Sequence, residues 1–200
     1  MEQNLLILGA GQYGQMAYEI AKSMGVFKKI NFLDDAAFAA QSQSAQSQSA
    51  QPSNEPSSAA EPAVIGRVGD FENFLPEYRY GFVAIGNPDI RRKLTEMLEA
   101  SCVTPAILVH PTAYVSPSAQ LQRGCCVEPH ATVQTNAVVA KCSFVASGAV
   151  IRHDAFVGEF CHVDCNAVVE SLAIVPAGTK IGCNSVFCRE QGLGQAGHNF

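Results

Sequence analysis

Broken every six residues, positions 109–187 read VHPTAY VSPSAQ LQRGCC VEPHAT VQTNAV VAKCSF VASGAV IRHDAF VGEFCH VDCNAV VESLAI VPAGTK IGCNSV F. An aliphatic residue opens every group from Val109 to Ile181 without a slip, and Phe187 closes the series. Two places before most of these stands a small residue, among them Ala113, Ala119, Cys125, Ala131, Ser143, Ala155, Cys161 and Ala173. Neither a helix of period 3.6 nor a strand of period 2 produces such a repeat. A chain coiled into a triangular prism does: three hexads complete one turn, the aliphatic residue points inward, and the small residue fits beside the bend. These positions are core, so chemistry has to come from the residues between them.

Upstream, Leu5-Leu6-Ile7-Leu8 is an unbroken apolar run followed by Gly9-Ala10-Gly11-Gln12-Tyr13-Gly14, after which Met16, Ala17, Ile20 and Ala21 recur at helical spacing. This strand, tight turn and helix carry G-x-G-x-x-G, with Asp34 about twenty residues further on. Bare N–H groups at a helix N-terminus accept phosphate oxygens, so the motif indicates a nucleotide without choosing between a dinucleotide and a nucleotide sugar. Further strands end on Asp34-Asp35 and on Gly86-Asn87, which gathers polar groups where ligands of open parallel sheets bind. Residues 88–106 read as a helix and a short link.

The domains expected are therefore a Rossmann-like α/β unit over residues 1–105, a left-handed parallel β-helix over 106–188, and an irregular tail over 189–200. Residues 36–63, rich in Ala, Gln, Ser and Pro and with QSQSA at 41–45 repeated at 46–50, are expected to be a flexible low-complexity insertion.

The chain has 200 residues, 48% hydrophobic and 16% charged, with a net charge of −5, which offers no basic footprint for nucleic acid or an anionic membrane. None of its eight cysteines forms a C-x-x-C pair, so reduced thiols are expected. The start lacks a basic n-region, and the run at residues 5–8 is too short for a signal or a span, which points to the cytoplasm.

Of the prism histidines His110, His130, His153 and His162, only His153 precedes a carboxylate, Asp154, able to fix its tautomer and raise its basicity. With about eighteen residues per coil, His153 and His162 lie half a circuit apart and meet only across a subunit boundary, as in a trimer. Ser171, one coil beyond His153, offers a backbone N–H as an oxyanion donor. A zinc site would need three converging imidazoles, which this spacing does not provide.

At Gly9-Ala10-Gly11, Phe32-Leu33-Asp34-Asp35, Ala84-Ile85-Gly86-Asn87 with Arg91, and from Val150 to Val163, the chain resembles the bacterial UDP-4-amino-sugar N-acetyltransferases of bacillosamine-type glycan pathways, relatives of sialic acid O-acetyltransferases. The resemblance implies that Gly11, Gln12, Tyr13, Asp34, Asp35 and Gly86 bind the UDP-amino sugar. It also implies that His153 is the general base, with Asp154 raising its basicity. His162, Gly182 and Cys183 contact acetyl-CoA, the co-substrate, and no metal takes part.

A homotrimer is implied as well, and fusion to or association with a membrane sugar-phosphate transferase is compatible with Met1 lying so close to the first strand. Two positions depart from the pattern. Ala146 stands where some relatives have asparagine, and the repeat stops after Phe187 where relatives continue, which leads us to expect an uncapped last coil and weakened coenzyme binding. The alternatives are O-acetylation of a sialic acid or related sugar, a low-activity trimeric assembly module, and an NAD enzyme that would leave the prism unexplained.

Overall fold

The computed structural model describes residues 3–47 and 62–189. Five parallel strands, β1 (Asn4–Leu8), β2 (Lys29–Leu33), β3 (Val64–Gly66), β4 (Tyr80–Val83) and β5 (Thr104–Pro105), form a sheet in the order β3-β2-β1-β4-β5. Helices α1 (Gln12–Met24), α2 (Asp35–Ser47) and α3 (Pro88–Ala100) and a 3-10 helix (Val68–Phe74) connect them. All five residues of β1 are buried, as expected for a central parallel strand covered on both faces. Helix α1 presents Gly14, Ala17, Ile20 and Ala21 to the sheet and stops at Gly25, whose φ of 66° closes the last turn onto the Lys22 carbonyl. Asn87 starts α3 by accepting the N–H groups of Asp89 and Ile90, with Pro88 in the first turn.

The expected flexible insertion over 36–63 needs correction at its start, because α2 runs to Ser47. Its composition is too polar to build a core, but alanine has the highest helix propensity, and Asp34 supplies the cap by accepting the Ala37 N–H at 2.9 Å. A capped helix lying on the surface needs no buried face. Residues 48–61 lie outside the described residues, as do 190–200 of the expected tail. The short edge strands β3 and β5 were not anticipated either, since two or three residues carry no periodic signal.

From Leu108–Val109 to Val186–Phe187 a two-residue strand recurs every six residues, and each pairs in parallel with the strand eighteen residues away, as in Thr132 with Val150 and Phe144 with His162. The strands form three flat sheets around one axis, a left-handed parallel β-helix. Val127, Val133, Val139, Val145, Ile151, Val157, Val163, Val169 and Val175 are wholly buried inside it, with Cys125, Ala131, Ala137, Ala149, Cys161 and Ala167 beside them. Val109, Val115, Leu121 and Phe187, in the end coils, are only partly buried.

Each bend from Gly124 to Asn184 holds one residue with positive φ, spaced by six: 124, 130, 136, 142, 148, 154, 160, 166, 172, 178 and 184. Glycine and asparagine fill six of these; His130, Cys142, Asp154, Phe160 and Leu172 hold the left-handed conformation at a cost of roughly 1–2 kcal/mol each, offset by the hydrogen-bonded stack.

One prism face packs on the α/β unit, so that Leu5, Ile7 and Phe82 share a core with Leu108, Cys126 and Phe144. Among the described residues, the other two faces carry exposed apolar side chains: Tyr114 and Val186 on one, Phe156 and Ile174 on the other, with Leu172 at the bend between them. Among the described residues, no helix is long and apolar enough to cross a membrane.

Candidate active site

The sheet order places the carboxyl ends of β1, β2 and β4 around one crevice, at the point where the strand order reverses. Gly9 turns away from β1 with φ of 102°, its N–H donating to the Leu33 carbonyl. A Cβ at Gly14 would collide with the Gly9 carbonyl oxygen, so the fold itself requires that glycine. Gly11 is different: its φ of −69° suits any residue, and a Cβ there would meet nothing within 4 Å. No side chain caps α1. Its leading N–H groups, at the positive end of the helix dipole, therefore face the crevice beside a glycine that internal packing does not demand.

Two substitutions separate these roles. Gly14→Ala is expected to lower stability by about 1–3 kcal/mol through overpacking, read by denaturant unfolding. Gly11→Ala should unfold as the parent does while nucleotide-sugar affinity falls about tenfold or more, read by calorimetry.

Asp34 and Asp35, expected at the ligand, also hold the crevice together. Asp34 accepts the Ala10 N–H at 2.8 Å and the Ala37 N–H at 2.9 Å, tying the glycine turn to α2, while Asp35 accepts the Val68 N–H at 3.2 Å. Burial pushes the Asp34 pKa up, but the N–H groups of Ala10, Ala37 and Ala36 outweigh it, so the carboxyl sits below its ordinary range and stays ionised.

Tyr13 leans from α1 onto the prism. Its hydroxyl lies 3.5 Å from both ring nitrogens of His162, and the two rings meet edge-on with Phe144 alongside. The resulting cavity, about 210 Å³, is lined by Tyr13, Gly86, Arg91, His162 and Lys180 among others. Here the crevice and the coils adjoin. The His162 side chain is 8% exposed. Burial pulls its pKa down most strongly, Asp164 pulls it up, and Lys180 and Arg91 pull it down again.

A depressed histidine pKa means that the unfolded chain binds the proton first as pH falls. The stability His162 contributes is therefore complete above about 6.5, its unfolded value, and is lost below it. His162→Gln should flatten the decline in thermal midpoint between neutral pH and pH 5; an unaltered pH profile would count against this assignment.

His153 and Asp154 occupy the bend between the two free faces. His153 Nδ1 lies 2.8 Å from Asp154 Oδ2, and Asn136, one coil earlier, donates to Asp154 Oδ1 at 3.1 Å. The His153 N–H donates to Gln134 Oε1, and its carbonyl accepts the Leu172 N–H. Asp154 has φ of 59°, and this left-handed turn lets neighbouring side chains, which would diverge along a strand, face each other. The hydrogen bond from His153, then that from Asn136, holds the Asp154 pKa below the ordinary aspartate range. Nδ1 is engaged by Asp154, and His153 lines a depression together with Tyr114, Gln134, Thr135 and Asp154, its side chain 47% exposed.

Tyr13, Gly86 and His162 thus line one cavity, Gly11, Gln12 and Asp34 lie at the ends of β1 and β2 and the start of α1, and His153 with Asp154 sits on a different edge of the prism. Gly182 and Cys183 are exposed on the last described coils. Two contributors were missed. Asn136 was detectable as the residue eighteen before Asp154. Arg91 was read as part of a helix and among the residues that carry the resemblance, with no role of its own, yet it is 1% exposed and donates to the carbonyls of Ile85, Gly86, Cys142 and Phe160, fastening the Gly86 loop to the prism.

Residues 4–98 match the PglD N-terminal domain family. Over nearly its whole length the chain is similar to the acetyltransferase domain of PglB from Neisseria gonorrhoeae, with 28% identity, a TM-score of 0.67, and coverage of 94% of this chain and 92% of that one. The same domain in complex with acetyl coenzyme A matches at 26% identity with a TM-score of 0.65, covering 93% of each chain. PerB from Caulobacter crescentus, in complex with CoA and GDP-perosamine, shares the fold at 20% identity with a TM-score of 0.67, covering 93% of this chain and 89% of that one.

Proposed function

We propose, from the match of residues 4–98 to the PglD N-terminal domain family and the left-handed β-helix that follows, that this chain is an acetyl-CoA-dependent N-acetyltransferase acting on the 4-amino group of a UDP-amino-deoxyhexose. One observation carries the reading: a nucleotide-type crevice and a His153–Asp154 couple on a hexapeptide prism, with no other role in the fold for either the bare Gly11 or the exposed imidazole. The diphosphate takes the leading N–H groups of α1 at Gly11, Gln12 and Tyr13. Gly86 and the Asp34–Asp35 turn flank the nucleoside. His162, Gly182 and Cys183 line the acetyl-CoA path.

The amine nitrogen attacks the thioester carbonyl, forming the C–N bond, and the C–S bond breaks as the thiolate leaves. His153 Nε2 takes the proton released by the amine and returns it toward the thiolate. Asp154 holds the other nitrogen and stabilises the imidazolium that forms in between. The Ser171 N–H serves as oxyanion donor. The need for acetyl-CoA supports a cytoplasmic reaction.

The site is completed by a second copy. Two faces bearing the exposed Tyr114, Val186, Phe156 and Ile174 flank the bend that holds His153, so packing prisms in a closed trimer delivers the base of one subunit to the cleft of the next. Complementation tests this. When His153→Ala subunits, lacking the base, are refolded in equal amounts with Gly11→Trp subunits, lacking the nucleotide site, half times half of the sites are intact, and about a quarter of parental activity should return. Absence of any recovery would place the base and the nucleotide site in the same chain.

A further inference from the structure

Cys165 and Cys183 stand eighteen residues apart, which on this prism means the same bend in successive coils, and the Asn184 N–H donates to the Cys165 carbonyl across the step. Parallel strands there are separated by about 4.8 Å. Asp164 precedes Cys165, and the residue one coil above it is Gly182, which has no side chain to cover the carboxylate. The two sulfurs and a carboxylate oxygen of Asp164 all lie within 4.8 Å of one another. Both thiols are free, Cys183 is exposed and Cys165 half-buried, so a solute reaches the group from outside. Lys180 Nζ approaches Asp164 Oδ2 at 3.4 Å, but its side chain is mostly exposed and free to swing away; His162 Nε2 lies 3.9 Å from Oδ1.

We infer that Asp164, Cys165 and Cys183 form a binding site for a soft or borderline divalent cation of the zinc class, and that its occupancy excludes acetyl-CoA. Two thiolates and one carboxylate suit Zn²⁺ in a tetrahedron whose fourth position stays open. Bonds of about 2.0–2.3 Å would set the ligand atoms roughly 3.3–3.8 Å apart. Rotation about the cysteine χ1 angles closes the remaining ångström without moving the coils. Binding is balanced by the release of one proton from each thiol. Within one chain the site lies on a different bend from His153, and no step of acyl transfer is routed through the ion. The exclusion half of the inference rests on the proposed coenzyme path along Gly182 and Cys183: an ion seated there occupies that path.

The test has two arms, both on the full chain under a non-chelating phosphine reductant. In the first, with no coenzyme present, Zn²⁺ retention is titrated against a chromogenic chelator for the parent, Cys165→Ser, Cys183→Ser and Asp164→Asn. One ion per chain, with affinity falling about tenfold or more in each cysteine variant, is expected; absence of stoichiometric binding, or binding that both variants retain, overturns the site. Cd²⁺ as a second probe should give a thiolate-to-metal absorption band that either cysteine substitution removes. In the second arm, Zn²⁺ should raise the apparent KM for acetyl-CoA without changing kcat, and Cys165→Ser should blunt the effect. Stoichiometric binding with unchanged KM overturns the exclusion and the coenzyme path near Cys183 while leaving the cation site standing, so the two failures are distinguishable.

Discussion

His153→Ala is expected to lower kcat by about 10²–10⁴, the range for removing a positioned general base, while leaving the thermal midpoint and nucleotide-sugar affinity at parental values. The two unchanged quantities follow from geometry. The imidazole is half-exposed and bonds Asp154, while the bonds of His153 to the neighbouring coils are made by its main-chain N–H and carbonyl, and the glycine-turn crevice lies on another face. Asp154→Asn keeps the shape but removes the charge that stabilises the imidazolium, so kcat should fall at least about tenfold. Steady-state kinetics with calorimetric binding separates these effects; a drop in affinity equal to the drop in kcat/KM would assign His153 to substrate binding instead.

Arg91→Ala should cause the largest loss of stability, about 3–5 kcal/mol, or a fall in thermal midpoint on the order of 10 °C for a chain of this size. The guanidinium is buried and lies 4.3 Å from the centre of the Phe144 ring. Nε donates to Cys142 O at 3.1 Å and one terminal nitrogen to Phe160 O at 2.9 Å, two carbonyls stacked one coil apart, while the other terminal nitrogen donates to Ile85 O and Gly86 O. Burial draws its pKa below the usual arginine range, yet the group stays charged at neutral pH. Truncation strands two buried acceptors, Cys142 O and Phe160 O, frees two part-buried ones at Ile85 and Gly86, and opens a cavity. Arg91→Lys should recover only part, because an ammonium does not present the planar fork that reaches both sides. Since Gly86 is one of the tethered residues, nucleotide-sugar affinity should fall together with stability.

These two residues mark what could be read from the chain alone. The six-residue spacing of aliphatic side chains is a direct imprint of the prism, and β1 with its glycine turn is a direct imprint of the crevice, because each depends on contacts repeated along a short stretch. His153 with Asp154 was legible as an adjacent pair, although its geometry depends on the left-handed φ at Asp154, which aspartate does not announce. Arg91 was not legible as a clamp. Its acceptors are main-chain carbonyls 51 and 69 residues away, and a carbonyl carries no sequence signature. Nor was the meeting of Tyr13 with His162, 149 residues apart.

Helix α2 was misread because composition reports the capacity to bury a core rather than the capacity to form a capped surface helix. The spacing of eighteen that joins Asn136 to Asp154 and Cys165 to Cys183 was present throughout, and it becomes informative only once the coil is taken as the unit of comparison. Ala146, where some relatives carry asparagine, is buried between the coils holding Glu128 and Asp164. Glu128 is itself buried, its pKa pushed up by desolvation although Ser147 donates to it through both N–H and hydroxyl. Nothing in the fold explains the choice of alanine there.

Thiol release from acetyl-CoA, measured with a UDP-4-amino-deoxyhexose as acceptor, tests the central assignment most directly, with the matching 4-hydroxy sugar nucleotide run in parallel. Turnover that requires the amine and disappears in His153→Ala is the predicted result. Turnover confined to the hydroxyl acceptor, or binding of both substrates with no thiol released, would contradict it.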